Sequence, residues 1–190
     1  MRSQLVIFDL DGTLFDTAPL NYLAYKDALE AEGFELDWDY FFTHCNGNYY
    51  RDFIPKITGS DDEGLLQRIH RSKKEAYGRH IGQARPNHQL IRLARLARDS
   101  SHLALVTTAS RENTMELLAA FGMSDFFDLI LTQEDVTRKK PDPQGFLMAM
   151  ERFGADAAHT VIFEDSPSGI RAAKATGATV FSVLQFPETE

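Results

Sequence analysis

Short apolar runs that do not alternate organise this chain. Leu5–Leu10 (LVIFDL), Leu103–Val106 (LALV), Leu129–Leu131 (LIL) and Val161–Phe163 (VIF) are built largely from Val, Ile, Leu and Phe, and Thr179–Val183 (TVFSV) makes a fifth. Runs this short with no polar face suit strands buried on both sides of a parallel sheet. Between the later ones lie segments with helical spacing. His88–Arg98 puts Leu90, Leu93, Ala94 and Ala97 on one side, and Arg111–Phe121 does the same with Met115, Leu118 and Ala119. Gly145–Phe153 and Ser168–Thr176 continue the alternation, each followed by a glycine suited to ending a helix. Strands alternating with helices predict an α/β fold with a doubly wound parallel sheet.

After the first strand the rhythm breaks. About 75 residues pass with no convincing strand, too many for an ordinary crossover. The stretch is helical in character: Pro19–Glu32, Asp37–Phe42, Tyr49–Ile57 and Asp61–Tyr77, punctuated by Gly33, Asn46-Gly47-Asn48 and Gly59-Ser60. The expected organisation is an α/β core of residues 1–15 and 85–190 carrying an inserted helical subdomain, 16–84. The tail Gln185–Glu190 has no helix pattern, so the core is expected to end near its fifth strand.

Bulk properties exclude several classes. A net charge of −8 speaks against a binder of nucleic acid polymers, which needs a basic patch. The lone Cys45 rules out an internal disulfide and a multi-cysteine zinc site, and packing is its expected role. No apolar run approaches the roughly 18 residues of a membrane span. The first run meets Asp9 too early for a secretory h-region, so a cytoplasmic location is expected. Nothing sets an oligomeric state, and a monomer is the default.

In an open parallel sheet, functional groups gather past the carboxyl ends of the strands. Asp9 and Asp11 follow the first run, Thr107 and Thr108 the second, Lys139-Lys140-Pro141 the third after a loop, and Glu164-Asp165 the fourth. Singly each has a plain structural role: Asp165 can cap a helix, Thr107 can close a turn, a lysine pair can be solvated surface. Together they put carboxylates, a hydroxyl and an ammonium at one edge. Converging carboxylates repel unless a cation lies among them, and hard oxygen ligands suit magnesium.

These residues resemble the haloacid-dehalogenase superfamily. Asp9-Leu10-Asp11-Gly12-Thr13 matches its DxDGT signature, Leu105-Val106-Thr107 the strand ending in Thr or Ser, Lys140-Pro141 the third motif, and Glu164-Asp165-Ser166-Pro167-Ser168-Gly169 the acidic pair before Ser-x-x-Gly. The helical insertion after the first motif is similar to the cap of the phosphoglycolate-phosphatase and β-phosphoglucomutase branch. The resemblance implies a magnesium-dependent phosphatase acting on a small phosphorylated metabolite. Asp9 would be the nucleophile and carry a phospho-aspartate; Asp11 would be the general acid and base. Asp9, the backbone carbonyl of Asp11, and Asp165 would hold the metal, with Glu164 in support. Leu10, Gly12, Thr107, Thr108 and Lys140 would bind the phosphate, Lys140 also positioning Asp9.

The second acid, Asp11, argues against dehalogenation and phosphonate cleavage. A β-phosphoglucomutase has a histidine shortly after the first motif where this chain has Asn21. That departure leaves a mutase as the alternative to plain hydrolysis. A receiver-type phospho-acceptor lacks an acid two residues after its nucleophile, and an idle binding relative would be expected to have lost the nucleophile or the lysine. Substrate choice is expected in the insertion, with Asn21, Asn46, Gly47, Asn48, Tyr50 and Arg51 as candidates. His44 and the cluster Trp38, Tyr40, Phe41 and Phe42 are more readily structural.

Overall fold

The computed structural model describes residues 4–184 and Phe186. The tail reading for Gln185–Glu190 therefore lies, apart from Phe186, outside the described residues. The chain divides into two compact units, 1–16 with 85–190, and 17–84.

The first unit is the α/β core. Five parallel strands, β1 (Gln4–Phe8), β4 (Ser101–Val106), β5 (Leu129–Leu131), β6 (Thr160–Glu164) and β7 (Thr179–Ser182), lie in the order β5-β4-β1-β6-β7. Around them are α5 (His88–Ala97), α6 (Arg111–Ala120), α7 (Gln144–Phe153) and α8 (Pro167–Ala175). Leu5 and Ile7 of β1, Ala104 and Val106 of β4 and Ile162 of β6 are buried against Phe146, Ala149 and Met150 of α7 and Ala172 and Ala173 of α8. On the other face, the Phe8 ring stacks on Phe163 and meets Phe127. Burial on both faces is why these runs carry no polar alternation.

The expected first strand runs to Leu10, but the paired strand stops at Phe8. Asp9 and Leu10 turn away into a loop in which Leu10 C=O accepts from both Leu14 and Phe15 N–H. The stretch read as strand-free also contains β2 (Phe15–Asp16), paired antiparallel with β3 (Arg85–Pro86). Two-residue strands have no periodicity to detect. They tie together the two crossings between the units, reinforced by Arg85 on Asp16 and by Asn87 N–H on Leu14 C=O at 2.8 Å.

The second unit is helical: α1 (Ala18–Glu30), α2 (Trp38–Tyr40), α3 (Tyr50–Thr58) and α4 (Glu63–Tyr77), with a closing 3₁₀ segment, Gly78–Gln83. Its own core joins Ala28, Leu29, Phe41, Phe53, Ile54, Leu66 and Ile69. The segment expected as one helix over Asp37–Phe42 is the short α2, capped by Asp37, running into a π-helical turn, Phe41–Cys45. That turn buries both Phe41 and Cys45, so core packing sets its winding rather than helical spacing. Among the described residues no helix is long and apolar enough to cross a membrane.

Candidate active site

The chain order makes a crevice beside β1. β1 connects toward β4 on one side, whereas β6 connects outward to β7 on the other. Connections that diverge from neighbouring strands leave an opening at their carboxyl ends. Asp9 sits there, its N–H donating to Phe163 C=O at 3.0 Å, which puts it beside Glu164 and Asp165.

Lys140 bridges this edge from the loop after β5. Its Nζ donates to Asp9 Oδ1 at 2.5 Å, Glu164 Oε2 at 2.6 Å and Val106 C=O at 3.1 Å. All three charged side chains are buried. Burial pushes the Asp9 carboxyl well above the ordinary range, as do the charges of Glu164 and Asp165, while Lys140 pulls it back. For Lys140 burial works against the charge, but Asp9 and Glu164 outweigh it and hold the ammonium above its usual value. Burial likewise pushes Asp165 up to about 6, even though Thr13 Oγ–H donates to it at 2.7 Å.

Two glycines are required by this packing. Gly12 has φ +83°, and a Cβ on it would lie 2.2 Å from Asp165 Oδ2. A Cβ on Gly169, in the first turn of α8, would fall 2.1 Å from the Glu164 carboxylate. Glu164 uses both oxygens: Oε2 on Lys140, and Oε1 accepting from Asp165 N–H, Ser166 N–H and the Ser166 hydroxyl. It is thus a fully buried brace between the lysine and the head of α8. Ser166 in turn caps α8 through Gly169 N–H at 3.0 Å.

Asp9, Glu164 and Asp165 each offer an oxygen within 4.8 Å of the others. Three carboxylates against the one Lys140 ammonium leave two negative charges in surplus in a buried setting. Hard oxygen donors with that surplus fit a divalent cation such as magnesium.

The other expected site residues fall as follows. Thr107 is buried at the end of β4, and its Oγ1 accepts from Ala109 N–H at 3.0 Å. Asp11 is half-buried in the turn that returns to Phe15, near enough to Asp165 for its charge to raise that carboxyl. Leu10 is a core side chain with only its backbone at the edge, and Thr108 is exposed. In the helical unit, Asn21 donates to Thr17 C=O at 3.1 Å and accepts from the buried Lys73 at 2.7 Å. Asn46, Gly47 and Asn48 form an exposed connection in which Asn48 Nδ2 donates to His44 C=O. Arg51 pairs with Glu63 and donates to the Tyr49 hydroxyl. Cys45 is buried, its thiol pushed up to about 11 by burial.

Sequence reasoning gave no role to Thr13, Ser166, Lys73, Arg85 or Asn87. Thr13 was legible as part of DxDGT. The Asp16–Arg85 pairing was not, because nothing local links residues so far apart.

A model of the haloacid dehalogenase-like hydrolase family matches residues 6–183. The chain belongs to that family. It is 30% identical over 186 residues to a phosphoglycolate phosphatase of Thiobacillus denitrificans, covering 94% of this chain and 82% of the relative. It is 29% identical over 179 residues to a phosphorylated carbohydrates phosphatase of Thermotoga maritima, covering 92% and 82%. Among solved structures, CbbY of Rhodobacter sphaeroides in complex with phosphate superposes with a TM-score of 0.80 at 27% identity, covering 96% of this chain and 87% of that one. A variant of CbbY has also been solved with xylulose-1,5-bisphosphate.

Proposed function

We propose that the protein is a magnesium-dependent phosphatase that hydrolyses a small phosphate monoester through a phospho-aspartate on Asp9. The observation that carries the reading is the buried Asp9–Lys140–Glu164 chain next to Asp165. A carboxylate oxygen is held at the mouth of the crevice by an ammonium at 2.5 Å, with net negative charge left over. Relatives named as phosphatases support the same chemistry.

Magnesium, held by Asp9, Asp165 and the Asp11 carbonyl, would neutralise the surplus charge and polarise the phosphoryl group. Asp9 attacks phosphorus with its carboxylate oxygen, forming the Asp9–phosphorus bond as the ester oxygen departs. Asp11 donates its proton to that departing oxygen, then removes a proton from the water that hydrolyses the acyl phosphate. Lys140 orients Asp9 and pulls it toward its ionised form, against the burial and the neighbouring carboxylates that raise it. Thr107, with its oxygen already accepting from Ala109, has its hydroxyl proton to give to a phosphoryl oxygen. Glu164 positions Lys140. The helical unit, 17–84, is proposed as the subdomain that selects the substrate.

Phosphate release from a panel of small monoesters, with magnesium and then with chelator, tests this. Turnover that needs the metal and is lost in Asp9→Asn is the expected result. No release from any ester, by protein that still binds magnesium, would sink it. A mutase would need a proton carrier near Asn21, and an amide held by Thr17 and Lys73 is not one.

A further inference from the structure

One residue outside the acidic cluster bears on how tightly a metal is held there, an argument that rests on the magnesium-dependent reading above. Asn87 follows β3 and opens α5, its Oδ1 accepting from Leu90 N–H at 3.1 Å. That is an N-cap, and serine, threonine or aspartate would serve as well. Asparagine also carries an amide donor. Here Nδ2 donates to Thr13 C=O at 3.2 Å, a residue 74 positions earlier in the chain. The Asn87 N–H donates to the next carbonyl, that of Leu14, at 2.8 Å.

Thr13 lies in the loop between Asp9 and β2. That loop is closed on itself: Leu14 and Phe15 N–H both meet Leu10 C=O, and Gly12 N–H meets Phe15 C=O. Those bonds set its shape, and Asn87 ties it to the head of α5 at two successive carbonyls. Thr13 is fully buried, and its Oγ–H donates to Asp165 Oδ1 at 2.7 Å. A β-branched side chain has little freedom at χ1, so a threonine whose backbone is held directs its hydroxyl. The other Asp165 oxygen lies over Gly12, where a Cβ would be 2.2 Å from it. Asp165 is thus oriented by the same loop that Asn87 holds. Groups hydrogen-bonded to a ligating carboxylate set its orientation and, with it, the affinity for the metal.

We infer that Asn87 is a positioning residue of the metal site: by holding the Thr13 carbonyl it fixes the hydroxyl that orients Asp165, and so tightens magnesium binding. It acts through Thr13 rather than on the metal. Capping of α5 uses only its oxygen, and the amide nitrogen is the part that reaches the acidic loop.

The test is the magnesium dissociation constant, by calorimetry with no substrate present, beside the unfolding midpoint of the metal-free protein. Thr13→Val should weaken binding about tenfold, and Thr13→Ser, which keeps the donor, should restore it. Asn87→Ser keeps a capping oxygen and the backbone N–H but loses the amide. It should weaken binding about fivefold, a smaller loss than that of the direct partner. In the Thr13→Val background the same change should add less than about twofold, because the link it acts through is gone. Asp62→Ala, which removes the cap of α4 in the helical unit, should lower the midpoint and leave the dissociation constant in place. An Asn87→Ser protein with a lowered midpoint and wild-type magnesium affinity would make the residue a cap and nothing more, overturning the inference alone. An equal loss in both Thr13 backgrounds would overturn it too. No magnesium binding by the wild type would overturn it together with the magnesium-dependent reading. Asn87→Thr caps in the same way and replaces a serine variant that fails to fold. If neither folds, the wild-type Asn87 side-chain amide signal in NMR decides: a shift as magnesium saturates supports the inference, and an unmoved signal overturns it.

Discussion

The two units place their charges in opposite ways. At the catalytic edge of the core, Asp9, Lys140 and Glu164 are buried, and two glycines are pressed against carboxylates. In the helical unit the interior is mostly apolar and aromatic, with Tyr22 against Phe41 and Tyr25 against Phe53, and its buried Lys73 donates to the neutral Asn21 amide. Its ion pairs Arg51–Glu63, Arg68–Glu32 and Arg79–Asp27 stand toward solvent. A buried charge depends on its partner, whereas a solvated one does not. The core edge is therefore brittle and specific, and the charged surface of the helical unit is tolerant.

Removing a cation from each side should expose that difference most. Lys140→Met leaves Asp9 and Glu164 buried without their ammonium and should cost about 3–5 kcal/mol in denaturant unfolding, together with turnover. Arg51→Met should leave the unfolding midpoint in place. Equal effects would break the comparison.

Glycine replacement comes next. Gly169→Ala drives a methyl into the Glu164 carboxylate, so Lys140 and Asp9 must shift. About a 100-fold loss of kcat is expected, with roughly 1–3 kcal/mol of destabilisation. Gly82 has open space around it, and Gly82→Ala should change stability by no more than about 0.5 kcal/mol.

Magnesium sharpens the contrast without mutation. At 100 times its dissociation constant it should stabilise the protein by about 2.7 kcal/mol. Chelation should reverse this. Amide exchange should slow around Asp9 and Glu164–Ser166 while Phe53 and Ile69 are unchanged; slowing spread evenly over both units would count against the assignment of the acidic cluster.

The smallest effect is a pH dependence in the helical unit. Hydrogen bonds from His80 first, and from Arg79, hold the Asp27 carboxyl below its usual 3.8. A lowered folded value means that the contribution is present above the unfolded value and lost as pH falls through the folded one. Relative to Asp27→Asn, the wild type should lose stability as the pH falls below about 4. Solvent screening keeps that loss under about 1 kcal/mol. The same stability as Asp27→Asn throughout that acid range would refute the pairing.

Much of the core was legible because its signals are local. Burial on both faces writes itself as unbroken apolar runs, and strand ends are where Asp9, Thr107 and Glu164-Asp165 were found. By contrast, the winding of Phe41–Cys45 depends on which residues its unit must bury, and β2 and β3 are too short to leave a pattern. Arg51 was readable as a candidate but not as an occupied one. Whether it is available to a ligand depends on Glu63, which only folding brings to it.

By itself the sequence determined the class of fold, the family and the kinds of side chain offered at the strand ends. The tertiary structure decided their arrangement. It set β6 beside β1, brought Lys140 between Asp9 and Glu164, and seated Glu164 where Gly169 leaves room. The reason is physical: periodicity records how each segment meets water, while strand order and charge pairing join residues far apart in the chain, and no local pattern encodes which of them will meet.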